Sequence, residues 1–356
     1  YTPEKVKQRL GVDMVAIPDG RYDEVMARVD DRAAEAVAKQ WLDEAEAIVE
    51  PNRDDVLKAA RASLTLDRLI AENRIDGLCV GTCMGWLSRG FPCLGFSRLN
   101  DRGIPAACDG DMDCLLTMLI FQHALNRAGF LGNAGGVDTA RNAFHLSHCS
   151  APLRMEGPDG PKAPYLLRRH AEVRGGAVTE VHYRVGQKIT FTKLVHLDTL
   201  LVFTGTIIDV PRVPKGEERG CRTELVAQVD DAEKLLANWG GGALGPSAKD
   251  YYASLHRVAY YGDHTTSIRH LAQIHRLENP QSGLEQRSQL WRHTLRLARQ
   301  GFEGRTQVCQ TVLVRRRGLP QPSTQGLQFL AHPVRAPHGL LSSTPLAVPG
   351  HHLDPE

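Results

Sequence analysis

Two carboxylates one residue apart, Asp109 and Asp111 in the run CDGDMDC, stand where a short apolar stretch passes into a strongly apolar helix pattern. Residues Ile104 to Cys108 read as a buried strand, and the run Met112 to Arg127 as the helix that follows. Acids at the C-terminal end of a parallel strand occupy the place where an open α/β sheet carries its chemistry. The plainer reading is that Asp111 caps the helix and Asp109 stabilises the turn. Both readings make the stretch Gly103 to Arg127 the feature around which the rest of the chain is arranged.

The elements that would position these acids alternate in type. Val12 to Pro18 predicts a strand, and Tyr22 to Glu50 a helix with Val37, Trp41, Ala45 and Ile48 along one face. Pro51 ends that helix; Asn52, with Asp55 three residues on, caps a second helix running to about Asn73. IDGLCVGTC supplies another short strand ahead of the Ile104–Cys108 strand. This alternation predicts a parallel sheet flanked by helices over residues 1–128. After Gly129 the pattern changes to short strands: GQKITFTKLV, TLLVFTGTIIDV and CRTELVAQV predict a small antiparallel barrel or sandwich over 129–277, with a helix at Thr266 to Ile274. The fold class is therefore α/β, a parallel-sheet domain followed by a domain containing an antiparallel β-barrel. Residues 278–356 read as an irregular tail with one helix pattern, Leu284 to Gln300, and a short solvated basic run at 314–318.

With 356 residues, a net charge of +2 and 24% charged side chains, nothing points to nucleic acid or an anionic membrane surface. No apolar run reaches the length of a membrane span and no signal peptide is evident, so a cytoplasmic protein is expected. The 8 cysteines show no paired CxxC spacing and read as buried free thiols. Cys149 beside His148 does not read as a nucleophile pair, because neighbours on a strand point to opposite faces. No GxGxxG follows a strand, which leaves a dinucleotide site without support.

Four segments in order, LNDRGIPAACDGDMDCLLTM, LSHCSAP at 146–152, GQKITFTKL at 186–194 and LHRVAYYGDH at 255–264, resemble the L-fucose isomerase and L-arabinose isomerase family, nearest to its L-fucose isomerase-like branch. The resemblance runs from about Leu10 to Ala272 and is most specific over 91–115. It implies an α/β middle domain and a barrel-containing C-terminal domain. It further implies an N-terminal α/β domain that this sequence, starting at Tyr1, is expected to lack. Family members are homo-oligomers, here expected to be a trimer or hexamer, with active sites completed by a neighbouring subunit.

The activity implied is aldose–ketose isomerisation through an ene-diol, with Mn²⁺ or another divalent metal on the reacting oxygens and acid/base groups beside the carbons. By resemblance Asp109 is a metal ligand and acid/base residue, an Asp where L-fucose isomerases have Glu. His256 is the metal-binding histidine. Asn133 falls on the family's other metal-binding, proton-carrying acid; its amide can ligate through oxygen but cannot carry a proton. His148 is a substrate or metal contact, and Asp111 supports the site near the sugar. Two other readings stay open: a silent relative that binds sugar or metal without turnover, and another metal-assisted carbohydrate enzyme such as an aldolase.

Overall fold

A computed structural model of the chain describes residues 2–81, 86–217, 220–238, 255–275, 308–309, 311–316, 328–329 and 333–334. Its first part alternates α1 (Pro3–Leu10), β1 (Val12–Ala16), α2 (Asp19–Met26), α3 (Asp31–Glu44), β2 (Ala47–Ile48), α4 (Arg53–Asn73), β3 (Gly77–Val80), α5 (Cys93–Asp101), β4 (Ala106–Ala107) and α6 (Met112–Leu125). α4 begins at the expected cap. The Asn52 side chain accepts from the Asp55 N–H, and the Asp55 carboxylate accepts from the Asn52 N–H, both at 3.0 Å. That exchange satisfies two of the amides a first turn leaves unpaired.

The single helix expected over Tyr22 to Glu50 is instead two helices and a strand. Asp30 adopts an extended backbone and accepts from the Ala33 N–H at 2.8 Å, which starts α3 afresh. Ile48, expected on the helix face with Trp41, lies in β2 and is 47% exposed. The strand expected from Ile104 to Cys108 is short, only Ala106 and Ala107 pairing with β3.

The second part is built from β5 (Phe130–Asp138), β6 (Ala143–His148), β7 (Tyr165–His170), β8 (Gly175–Val181), β9 (Lys188–Val195), β10 (Thr199–Asp209), β11 (Thr223–Val229) and β12 (His256–Tyr261). Six of these close a barrel in the order β10-β11-β6-β5-β12-β9, with antiparallel pairing throughout. β9 and β10 are the partners the alternating sequence predicts, paired over eight rungs from Thr199↔Val195 to Thr206↔Lys188. The inside of the barrel follows from contacts between strands that are not neighbours. Phe144 of β6 meets Phe191 of β9 edge-on at 4.9 Å and Phe203 of β10 at 5.0 Å. Closure also removes the unpaired edges that an open sheet of this size would expose. The remaining strands form a three-stranded sheet, β2-β7-β8, in which β2 runs parallel to β7.

The sheet of the first part is parallel only in places. β3 and β4 are parallel, with Leu78↔Ala106 and Cys79↔Ala107 in register. Between β1 and β3 lies the strand Thr311–Arg316, antiparallel to both, and Gln328–Phe329 lies parallel along the outer side of β1. Part of the segment expected to be irregular thus pairs at the centre of this sheet. The helix expected over Leu284 to Gln300 lies outside the described residues, whereas that expected over Thr266 to Ile274 spans Thr265–His275.

α6 is the element both parts share. Asp113 through Leu119 and Phe121 are buried. Leu115, Leu116, Met118 and Phe121 join Cys79 of β3, Leu194 of β9 and Val258 and Tyr260 of β12 in one cluster. A helix apolar on all sides belongs in an interior, and this one sits between sheet and barrel. No helix among the described residues is long and apolar enough to cross a membrane.

Candidate metal centre

The turn between β4 and α6 is held by backbone bonds from Gly110 N–H to the Val80 carbonyl (3.0 Å) and from Asp111 N–H to the Cys108 carbonyl (3.1 Å). Asp109 (φ 57°) and Gly110 (φ 67°) both take the left-handed conformation. Glycine takes it freely; for aspartate it is uncommon, and such positions gather at functional sites. Here it turns the Asp109 carboxylate towards the rim of the barrel, where its side chain is 37% exposed.

Two imidazoles meet that carboxylate. Asp109 Oδ2 lies 3.5 Å from His148 Nε2, at the end of β6, and 3.4 Å from His256 Nε2, at the start of β12. The two rings stand edge to face, 5.7 Å between centroids. Burial pushes the Asp109 carboxyl up, but the His148 and His256 imidazoles outweigh it and hold the group well below the usual carboxylate range.

Behind His256 stands a buried ion pair. Asp111 Oδ1 accepts from the Cys114 N–H at 2.9 Å, capping α6 as the plainer reading expects. Its Oδ2 contacts His256 Nδ1 at 2.9 Å and accepts from Lys193 Nζ at 2.7 Å. Burial raises the Asp111 carboxyl, and Lys193 and His256 overcome it and keep it ionised. Burial lowers the Lys193 ammonium, and Asp111 more than offsets this and lifts it above its ordinary value. The His256 imidazole follows the same rule: burial lowers it, and Asp109 and Asp111 lift it above its ordinary value. With Nδ1 bonded to Asp111, Nε2 is the side of the ring that faces Asp109, at 3.4 Å. It is buried and makes no hydrogen bond.

Of the residues named from sequence, Asp109, His148 and His256 converge, and Asp111 joins them through His256. Asn133 lies opposite His256 in the β5–β12 ladder, and its Nδ2 donates to Cys221 Sγ at 3.4 Å. His148 is anchored from behind by Ser150, whose Oγ is 2.9 Å from Nδ1. Lys193 was not expected. The signal was present: in KITFTKLV, position 193 has the parity of Ile189 and Phe191, so a charge falls on a core face of the strand.

The residues suit a divalent cation. Carboxylate and imidazole donors are ordinary ligands of divalent first-row metal ions. Among the described residues, Cys108–Asp109–His148 and Asp111–Cys114–His256 are the groups whose ligand atoms lie within 4.8 Å of one another, and Asp109 and His256 link the two. The chain matches no protein-family model and no curated protein.

Proposed function

We propose that the chain is a metal-dependent aldose–ketose isomerase, acting on an open-chain sugar at the turn that bears Asp109. The observation that carries this reading is the approach of His148 Nε2 and His256 Nε2 to one carboxylate oxygen, Asp109 Oδ2, at 3.5 and 3.4 Å. Asp109 and His256 would hold a divalent cation, Mn²⁺ or a similar ion, with His148 beside it. Bound there, the cation would polarise two neighbouring sugar oxygens and stabilise the negative charge that develops as a proton moves between carbons.

The chain's own groups divide the remaining work. Asp111, ionised and fixed by Lys193, accepts a hydrogen bond from His256 Nδ1 and so turns Nε2 to the site. Asp109 is ionised and partly open, which suits a ligand that also faces substrate. His148 can both take and return a proton, as an imidazole does, and Ser150 orients it. Asn133 can do neither, so the second proton carrier of this site is assigned to His148 and not to the amide.

Asn133 also favours one second reading: a relative that binds metal or sugar without turnover. One purified sample, assayed for metal content and for ketose formation from L-fucose, L-arabinose and other aldoses with and without Mn²⁺, separates the two. The isomerase reading expects Mn²⁺-dependent turnover that Asp109→Asn abolishes while the fold keeps its stability within about 1 kcal/mol, since Asn tolerates the left-handed backbone. Metal binding without turnover supports the silent relative, and neither metal nor turnover overturns the proposed metal site.

A further inference from the structure

The cysteines of this chain do not share one environment. Cys79, Cys108 and Cys114 are sealed in the α/β core. Cys149 and Cys221 stand together just beyond the last rung of the β6–β11 ladder, His148↔Thr223. The Cys149 thiol is buried against Phe91, Cys93 and Val178, and Cys221 packs on the same cluster from its half-open side. Both cysteines thus sit at one end of the same pair of strands and on one apolar cluster, with His170 stacked on Phe91 of that cluster at 5.2 Å. Asn133 Nδ2 holds the Cys221 sulfur in place at 3.4 Å. Nothing in the proposed isomerisation uses either sulfur.

We propose that Cys149 and Cys221 form a reversible disulfide, a redox-modification site whose reagent is a low-molecular-weight disulfide. Cys221, partly buried where Cys149 is fully buried, is the side from which such a reagent enters. Its sulfur attacks one sulfur of the reagent, the reagent's S–S bond breaks, and the first small thiol leaves with the Cys221 proton. Cys149 Sγ then attacks Cys221 Sγ, and the second small thiol leaves with the Cys149 proton. The chain gives up two hydrogens and two electrons, and the reagent is reduced to two thiols. The new bond joins the strand end that bears His148 to the segment leading into β11. This assignment rests on where the two cysteines stand at the strand ends and in their shared cluster, and holds whether or not the site binds a metal.

The test treats the fully reduced chain with oxidised glutathione and maps its peptides by mass. The expected product has lost two hydrogens and two titratable thiols, carries a single Cys149–Cys221 link and returns to the starting mass with dithiothreitol. Cys221→Ser is expected to lose the internal link, whereas Cys93→Ser keeps it; circular dichroism checks that both variants fold. A link through Cys93 or any other pair overturns the proposal. So does glutathione held stably on Cys221 with no closure onto Cys149, or a reduced chain that does not react.

Discussion

At the scale of single residues, the centre depends on a charge that sequence inspection passes over. Asp109 and Asp111 were singled out by the turn between strand and helix, and His148 and His256 by the motifs that carry the resemblance, not by residue type alone. Lys193 was not, since its partner Asp111 is 82 positions away and only the closed barrel brings them together. Both side chains are buried, 0% and 2% exposed, so neither can fall back on water when the other is removed. Lys193→Met is therefore expected to lower the free energy of unfolding by about 3–5 kcal/mol, the cost of an uncompensated buried charge. Adding Asp111→Asn should recover part of that loss, giving a double-mutant coupling that urea denaturation measures. Strictly additive losses would show that the pair does not hold the site. Asn133 teaches the complementary lesson: the resemblance makes it a metal ligand, while its amide nitrogen donates to Cys221.

At the scale of elements, local signals were read correctly where the chemistry is local. The Asn52/Asp55 exchange and the Asp111 cap are complete within four residues. The helix over 22–50 failed because helical spacing continues through Asp30, and only the cap there shows the break. One acid links an element to its neighbour and sets a pH dependence. Asp101, the last residue of α5, accepts from the N–H groups of Leu153 and Arg154 at 2.7 and 2.8 Å. Burial raises its carboxyl to about 6, against the lowering effect of those two amides. The folded pKa lies above the unfolded value, so the fold favours the protonated acid. Its contribution is complete below the unfolded pKa of 3.8 and is lost as pH rises through about 6. At about 1.4 kcal/mol per unit, the loss is on the order of 3 kcal/mol. Asp101→Asn keeps an oxygen for both amides and should gain about that much on wild type between pH 4 and pH 7. Parallel stability curves for the two proteins, measured by denaturant unfolding, would refute the assignment.

At the scale of the whole molecule, the mixture of helices, strands and a small barrel could be read from the change of period near Gly129. The closure order β10-β11-β6-β5-β12-β9 could not, because it rests on pairings between segments far apart in the chain, such as β5 with β12. Nor could the strand Thr311–Arg316 between β1 and β3, since its own sequence carries no signal of its partners. The burial of α6 on both sides has a thermodynamic consequence. Sheet and barrel share one wall, so neither can melt while the other persists, and heating should give a single transition in calorimetry and in circular dichroism alike. The same wall begins at Asp111, one contact from His256. A cation captured at that end would therefore resist the unfolding of the entire chain, by about 2.7 kcal/mol when free Mn²⁺ is a hundredfold above its Kd. Two resolved transitions, of which Mn²⁺ shifts one alone, would mean that α6 does not couple the halves. A single transition displaced as a unit would make thermal stability a reporter of ion occupancy, readable without any sugar.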